Sequence, residues 1–325
     1  MENNEQSAIA NRQSKIAFVF PGQGSQAVGM GKGLYDNYPV ARQVFEEADD
    51  ALGFKLSEMC FAGTAEDLAL TANTQPAILT SSIAAFRAME GEGFPMPDYV
   101  AGHSLGEYSA LVAAGAISFA DAVKTVRLRG TYMQEAVPIG VGAMAAILGL
   151  DLNLVEEGCS EAAQGQVCSP ANVNSPSQIV IAGNAEAVDR ACEILKAKGA
   201  KRAIKLNVSA PFHCALMMPA QEKLATDLEN ISYQDLRFPI VHNVDAQANE
   251  NGGKVKESLT KQVSSPVRWL QTIEFLVSNG VETFVEVGTG KVLSGLVKQI
   301  NRDVRSLNVE DQASLKNSKE ALAGL

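Results

Sequence analysis

Gly102, Ser104 and Gly106 form a G-x-S-x-G motif within the stretch GHSLG. An apolar run precedes the motif and a strongly helical stretch follows it, which is the context that a nucleophilic serine requires. A sharp turn there holds the hydroxyl clear of the backbone, and the N-terminus of the next helix favours negative charge that develops on a substrate. The alternative interpretation is that Ser104 only caps the helix.

A nucleophilic serine needs a base, and the chain has three histidines. His103 adjoins the serine, and consecutive residues in such a turn point apart, so we expect it to brace the loop. His242 lies in the apolar run FPIVHNV, which favours a structural role in a strand or at its end. His213 follows Pro211 in SAPFHC, where a loop is expected. A loop position suits a base, so the pattern favours His213.

No acid between Ser104 and His213 has the setting of the third member of a hydrolase triad. This interval holds the predicted insertion at 142–208, whose acids, such as Glu156, Glu157, Glu161 and Asp189, lie on helix faces that we expect to be solvated. A neutral carbonyl is the alternative partner for the base.

A further candidate is an arginine on the next helix, which begins after Ser118 with Asp121 as its capping partner. At about 100° per residue, Arg129 falls at the edge of the apolar stripe of this helix, whereas Arg127 points well away. A charge beside an apolar face needs an anion, because an unpaired buried charge is costly. That anion is either a carboxylate of this chain or a ligand, and the sequence leaves both open.

The glycine-rich loop PGQGSQ at residues 21–26 imitates a dinucleotide-binding fingerprint. The acid expected about 20 residues further on falls inside a predicted helix, at Glu46 and Glu47, so we reject that interpretation. The loop is better suited to presenting backbone N–H groups and a glutamine side chain to a reacting carbonyl.

The elements that position these residues predict an α/β fold. The apolar run at residues 16–20 is typical of a buried parallel strand, and residues 38–52 and 76–90 have helical periodicity. Residues 142–208 give the order β-α-β-β-α-β, which is a ferredoxin-like unit. Strands at 237–244 and 282–288 and helices at 220–229, 266–278 and 292–300 follow.

The predicted organisation therefore has four parts. They are a disordered lead-in at 1–14, a large α/β domain at 15–138 and 211–308, the inserted ferredoxin-like subdomain at 139–210, and a polar, fraying C-terminal tail at 309–325.

Composition narrows the class of protein. The 325 residues include 27 Lys and Arg against 37 Asp and Glu, a net charge of −10, which argues against nucleic acid and anionic membranes as partners. Five cysteines without metal-ligand spacing are expected to be reduced thiols. The polar N-terminus and the lack of an apolar run near the roughly 18 residues of a membrane span predict a cytoplasmic protein.

The sequence resembles the bacterial malonyl-CoA:acyl carrier protein transacylases from Lys15 to about Arg305. The resemblance is carried by motifs in the same order: FPGQGSQ at 20–26, NTQPA at 73–77, GHSLGE at 102–107, VRLRG at 126–130, GAMAA at 142–146, ANVNSP at 171–176, SAPFH at 209–213, QVSSPVRW at 262–269 and EVGTGKVLSGL at 286–296. It implies an α/β-hydrolase-like large domain with the ferredoxin-like insertion.

The resemblance also implies roles for individual residues. Ser104 is similar to the nucleophile of the family and His213 to its base, and Gln262 resembles the residue whose backbone carbonyl orients the histidine. The N–H groups of Gln23 and Leu105 correspond to the oxyanion hole.

Two further residues bear on the acyl group. Arg129 would bind the malonyl carboxylate, and Phe212, directly before the base, is similar to the malonyl-selective pattern.

The implied function is ping-pong transfer of malonyl from malonyl-CoA to the phosphopantetheine thiol of acyl carrier protein, for fatty acid biosynthesis. No metal or redox cofactor is expected, and the enzyme is expected to be monomeric. The acidic carrier would dock on a local basic patch. The candidates are two groups, Lys201, Arg202 and Lys205, or Lys291, Lys298 and Arg302. Alternatives are a polyketide carrier, a serine thioesterase and a non-catalytic carrier-binding module.

Overall fold

The computed structural model describes residues 14–208 and 210–323 of the chain. The predicted lead-in lies outside the described residues, apart from Ser14. Within the described part, no helix combines the length and the apolar character needed to cross a lipid bilayer. All five cysteines are free, and Cys168 alone among them is not fully buried.

The elements follow one another in three blocks along the chain. The first block contains β1 (Lys15–Phe20), α1 (Lys32–Asn37), α2 (Pro39–Leu52), α3 (Leu56–Ala62), α4 (Ala65–Ala69), α5 (Thr71–Gly91), β2 (Tyr99–Gly102), α6 (Gly106–Ala113) and α7 (Phe119–Glu135). The second contains β3 (Gly142–Leu148), α8 (Leu152–Ala163), β4 (Cys168–Ser175), β5 (Gln178–Asn184), α9 (Ala185–Ala197) and β6 (Arg202–Lys205). The third contains α10 (Met218–Leu228), β7 (Ile240–Val241), β8 (Ala248–Asn249), α11 (Val255–Gln262), α12 (Trp269–Ser278), β9 (Val281–Val287), α13 (Val292–Ile300), β10 (Arg305–Val309) and α14 (Gln312–Leu322).

The described residues form two sheets. The first and third blocks build a six-stranded sheet in the order β10-β9-β1-β2-β7-β8, parallel except for the β7–β8 pair. After the exposed Lys15, strand β1 is apolar and buried without interruption, as expected for a strand whose sheet is covered by helices on both faces. Ile16, Phe18 and Phe20 enter the larger core, whereas Ala17 and Val19 enter the core beneath α12 and α13.

The second block forms a separate four-stranded antiparallel sheet in the order β4-β5-β3-β6. Its helices α8 and α9 pack on one face around their own apolar core, which includes Ile147, Val155 and Ile181. The order β-α-β-β-α-β is the one that the periodicity of residues 142–208 predicts.

The two sheets meet at the third block. The N–H of Val267 donates to the carbonyl of Ala171, and the N–H of Val173 donates to the carbonyl of Val267, each at 2.9 Å. Val267 precedes α12, so this bridge joins β4 to the larger unit.

Four expectations from the sequence need correction. Helix α5 begins at Thr71, not near Pro76, because Asn73 and Thr74 donate side-chain hydrogen bonds to preceding carbonyls and extend the helix before the proline. The apolar run at 237–244 is paired as a strand only at Ile240–Val241, and the run at 266–278 becomes helical only at Trp269.

The fourth correction concerns the C-terminal tail, which was expected to fray. Residues 312–322 form helix α14, which begins with a capping box between Asp311 and Ser314. Leu315 and Leu322 join the main core. The stretch looks polar in the sequence because only one side of this helix is buried.

Candidate active site

Ser104 lies in the turn between β2 and α6, with a left-handed φ of 52°. Gly102 and Gly106 permit this turn: a Cβ on Gly102 would lie 2.0 Å from the carbonyl carbon of Gly106, and one on Gly106 would lie 2.1 Å from the carbonyl oxygen of Phe20. The Ser104 N–H donates to Asn243 Oδ1 at 2.7 Å. Ser104 does not cap α6, whose N-cap is Leu105 without a side-chain cap.

His213 lies opposite the serine, also with a left-handed φ, of 59°. Its Nε2 is 2.7 Å from Ser104 Oγ, and its Nδ1 is 2.9 Å from the backbone carbonyl of Gln262. A carbonyl can only accept, so Nδ1 carries the proton and Nε2 presents its lone pair to the hydroxyl. Burial, and then the charge of Arg129, lower the pKa of His213 to about 3. His213 is therefore neutral at neutral pH, as a base must be.

Arg129 is 1% exposed and reaches the same point from α7. Its guanidinium donates to Gln75 Oε1 at 2.7 Å, to Gln262 Oε1 at 2.8 Å and to Ser104 Oγ at 3.1 Å. Its Nε is buried without a hydrogen-bond partner among the described residues. No carboxylate of the described chain forms an ion pair with it, so the intramolecular alternative is not found. The guanidinium can accept an anionic ligand.

These groups line one cleft of about 450 Å³ between the two sheets. Gln23 and Leu105 lie on its wall, and neither backbone N–H donates to another of the described residues. Phe212 also lines the cleft, and Asn172 and Asn174 contribute the side that belongs to the four-stranded sheet. The arrangement combines a hydroxyl, a neutral imidazole, free N–H donors and a buried cation, which suits acyl transfer from an anionic substrate.

The other two histidines have structural partners. His103 Nε2 is 2.9 Å from Asn174 Oδ1, and its ring packs edge-on against Trp269 with centroids 5.5 Å apart. Burial lowers the pKa of His103. His242 Nδ1 donates to Glu107 Oε1 at 2.6 Å. Neither ring contacts Ser104 Oγ.

The four acids that the sequence analysis weighed for a triad, Glu156, Glu157, Glu161 and Asp189, do not line the cleft. Glu157 and Glu161 pair with Lys198, and Asp189 pairs with Lys205, all on the exposed helices of the four-stranded sheet. Glu156 is likewise exposed. Among the described residues, no group of three or more His, Cys, Asp or Glu could hold a metal ion.

Sequence reasoning did not single out Gln75, Glu107 or Asn243. Gln75 and Asn243 each hydrogen-bond directly to a predicted site residue. Of these three, Glu107 could have been noticed in the sequence, because it is the one charged residue in helix α6.

Comparison with known proteins agrees with this geometry. Residues 17–321 match the family model of the acyl transferase domain. The malonyl CoA-acyl carrier protein transacylase of Escherichia coli strain K12 is 52% identical over 275 residues, covering 85% of this chain and 89% of that protein.

Solved structures extend the match over nearly the whole chain. An acyl carrier protein S-malonyltransferase from Vibrio cholerae superposes with a TM-score of 0.93 at 49% identity, covering 94% of this chain and all of that one. A malonyl-transacylase in complex with its type II polyketide acyl-carrier protein gives 0.92 at 49% identity, covering 95% and 100%. A match of this extent, around a serine, a histidine and an arginine in one cleft, makes the chain a member of the acyl transferase family and, within it, of the malonyl CoA-acyl carrier protein transacylases.

Proposed function

We propose that this protein transfers malonyl from malonyl-CoA to the phosphopantetheine thiol of acyl carrier protein through a malonyl-Ser104 intermediate, for fatty acid biosynthesis. The observation that carries the proposal is the 2.7 Å contact between Ser104 Oγ and His213 Nε2, beside a buried arginine with an unused N–H. The names of the relatives, which are transacylases for malonyl-CoA and acyl carrier protein, support it.

In the first half-reaction His213 Nε2 takes the hydroxyl proton while Ser104 Oγ attacks the thioester carbonyl. The resulting oxyanion accepts hydrogen bonds from the N–H groups of Gln23 and Leu105, and each such donor lowers a barrier of this kind by about 3 kcal/mol. When this tetrahedral intermediate collapses, the C–S bond breaks and His213 gives its proton to the CoA thiolate. The products are free CoA and a malonyl ester of Ser104.

In the second half-reaction the thiol of the carrier enters the same cleft. His213 removes its proton, the thiolate attacks the ester carbonyl, and the same two N–H groups hold the oxyanion. Ser104 leaves and recovers its proton from His213. Both half-reactions use only residues of the chain and its two substrates.

The Gln262 carbonyl takes the place of an acid in holding the base. A neutral acceptor fixes the tautomer of His213 without adding negative charge beside the malonyl carboxylate. This supports Gln262 as the histidine-orienting residue that the resemblance implies.

Arg129 is the proposed malonyl-binding residue. Its planar fork matches a carboxylate, and an acetyl group would leave that fork without an anion. Phe212 on the cleft wall supports selectivity for unsubstituted malonyl.

The architecture carries proposals of its own. The six-stranded unit corresponds to an α/β-hydrolase-like domain at 15–138 and 211–308, and the order β4-β5-β3-β6 supports a ferredoxin-like subdomain at 139–210. The cytoplasmic location and the monomeric state stay predictions.

The docking patch for the carrier is also a proposal. Lys205 and Lys291 each pair with an acid of this chain. The remaining cations of the two patches are exposed and form no ion pair among the described residues, namely Lys201, Arg202, Lys298 and Arg302.

A polyketide carrier is the second candidate partner, favoured by the relative that was solved with a type II polyketide carrier. The chemistry in the cleft would be the same, so a comparison of rates with the two kinds of carrier separates them.

The decisive experiment is intact-protein mass spectrometry after brief exposure to malonyl-CoA. We expect a malonyl-sized gain on the native chain, no gain on Ser104→Ala, and acceptance of acetyl from acetyl-CoA by Arg129→Ala. Addition of carrier protein should then discharge the adduct onto the carrier. Release of free CoA without carrier, and without a lasting adduct, would favour a thioesterase, and no turnover at all would favour a binding module.

A further inference from the structure

A buried carboxylate lies beneath the active site without touching the space where substrate would bind. Glu107 is 0% exposed and stands in the first turn of α6. No Lys or Arg of the described residues forms an ion pair with it. Its two oxygens instead accept from His242 Nδ1 at 2.6 Å, Gln262 Nε2 at 2.8 Å and the Asn243 N–H at 3.1 Å.

One of these partners connects Glu107 to the arginine. Gln262 Nε2 donates to Glu107 Oε2 and to the Ser104 carbonyl, while Gln262 Oε1 accepts from Arg129 Nη2. A carboxylate can only accept and a guanidinium can only donate, so this amide has a single favourable orientation. If the Gln262 amide were rotated by 180°, its oxygen would face two acceptors, the Glu107 carboxylate and the Ser104 carbonyl. Its NH₂ would then face the Arg129 guanidinium.

A second partner connects Glu107 to the nucleophile. The carboxylate holds the backbone of Asn243, whose Oδ1 accepts the Ser104 N–H and whose Nδ2 donates to the Gly102 carbonyl. These two bonds brace the left-handed turn at Ser104. The third partner, His242, receives a hydrogen bond from Asn249 at Nε2 and so closes the network.

We propose that Glu107 is a positioning residue for acyl transfer, whose fixed oxygens hold Asn243 and the Gln262 amide and, through them, Ser104 and Arg129. The inference rests on the proposed function and adds to it. The position of the oxygens matters in this arrangement, because every link in the network is a hydrogen bond of defined direction.

The test compares Glu107→Gln with Glu107→Asp. Glutamine has the same length and can keep an oxygen toward Gln262 and Asn243 while its NH₂ faces His242 Nδ1. His242 then changes tautomer to accept it, and the Asn249 amide turns over to accept from Nε2–H, at an exposed edge where water can replace its bonds to Asn251. Aspartate keeps the charge but withdraws both oxygens by one methylene. We measure formation of malonyl-Ser104 by rapid quench at saturating malonyl-CoA, and the preference for malonyl-CoA over acetyl-CoA.

We expect Glu107→Asp to slow malonylation by about 10- to 100-fold, the cost of a misplaced catalytic geometry, and to weaken the preference for malonyl. Glu107→Gln should stay within a few-fold of the native chain. A Glu107→Asp protein that malonylates at the native rate would overturn the inference, and so would a Glu107→Gln protein that is slower than Glu107→Asp.

A double-mutant cycle with Gln262→Ala tests the route through the amide, and Gln262→Ala alone keeps the inference testable if Glu107→Asp impairs folding. This change leaves the backbone carbonyl that accepts from His213. If Glu107 acts through the amide, Glu107→Asp should slow Gln262→Ala much less than it slows the native chain. If Glu107→Asp slowed malonylation by the same factor in Gln262→Ala as in the native chain, the inference would be contradicted. A native malonylation rate for Gln262→Ala alone would contradict it as well.

Asp49→Asn is the matched control. Asp49 is a buried carboxylate that accepts two hydrogen bonds from Ser57 and has no contact with the cleft. Its substitution should lower stability while leaving the malonylation rate per folded molecule unchanged. Failure of the native chain itself to form an adduct would instead refute the proposed function, so the two failures are distinguishable.

Discussion

At the scale of single residues, the site depends on the charge of one arginine acting on several neighbours. Arg129 contacts Ser104 Oγ directly, and its charge adds to burial in lowering the pKa of His213 to about 3. An imidazole with its ordinary pKa of 6.5 would be partly protonated in mildly acidic solution and could not accept the serine proton. Besides its proposed role in binding the malonyl carboxylate, Arg129 therefore helps to keep His213 neutral.

This gives a prediction for the pH dependence of kcat/KM, which reports the free enzyme. A lowered pKa means that His213 stays neutral as the pH falls through 6.5, so malonylation should decline only in more acidic solution. Arg129→Met removes the neighbouring charge, raises the pKa of His213 and should move the acidic limb to higher pH.

Arg127→Met is the control, since Arg127 on the same helix bonds to Asn73 and does not act on His213. The acidic limb of the kcat/KM profile of Arg127→Met should coincide with that of the native chain. Identical limbs for Arg129→Met and the native chain would show that the arginine charge does not reach the base.

At the scale of elements, the position of Ser104, the proposed nucleophile, depends on how closely β1, β2 and α6 approach one another. At position 106, a residue with a Cβ would place that atom against the carbonyl of Phe20, at the end of β1. The N–H of His103 donates to that same carbonyl at 3.0 Å. Adjacent parallel strands thus fix the turn that carries Ser104.

Gly106→Ala is therefore expected to destabilise the fold by about 3 kcal/mol, because backbone atoms cannot yield as a flexible side chain can. The free energy of unfolding in urea measures this. Gly33→Ala in α1 is the matched control, since nothing lies within 4 Å of the added methyl and φ is ordinary. That change should be neutral or stabilise by up to about 1 kcal/mol. Equal midpoints for the two variants would refute the close-approach argument.

At the scale of the whole molecule, the cleft lies where the four-stranded sheet packs against the larger unit, since Met144, Ala171 and Val180 of that sheet belong to the main core. The bridge at Val267 and the hydrogen bond between His103 and Asn174 both cross this boundary. Trp269 is the single tryptophan and is buried against His103. It belongs to the core beneath α12 and α13, next to the bridge at Val267, so its fluorescence reports on the larger unit beside the junction.

We expect tryptophan fluorescence and far-ultraviolet circular dichroism to follow one common unfolding transition. Asn174→Ala removes the hydrogen-bond partner of the half-buried His103 ring, so it should lower the free energy of unfolding by about 1 kcal/mol by both probes. Asn184→Ala, which removes a bond to the Val167 N–H within the four-stranded sheet, is the comparison. Two resolved transitions in the native chain would show that the sheets unfold independently.

Much of the element order could be predicted from the sequence, because it depends on local periodicity. The strand at 16–20, the helix at 292–300 and the β-α-β-β-α-β order of 142–208 all agree with the structure. The G-x-S-x-G turn also has a local cause, since its glycines are required by contacts a few residues away. Helix α14 was missed because half of its surface is polar and its burial depends on distant residues.

The assembly of the site was decided by the tertiary structure alone. Ser104 and His213 are far apart in the sequence, and the choice among three histidines depended on loop position until the fold brought one imidazole to the hydroxyl. Residue types and spacing left open whether Arg129 meets a carboxylate of the chain or a ligand, and only the resemblance implied the malonyl carboxylate. The neighbours of Arg129 come from α5, from α11 and from the turn before α6. Hydrogen-bond direction and burial depend on all of these neighbours together, whereas residue spacing records only the neighbours along the chain.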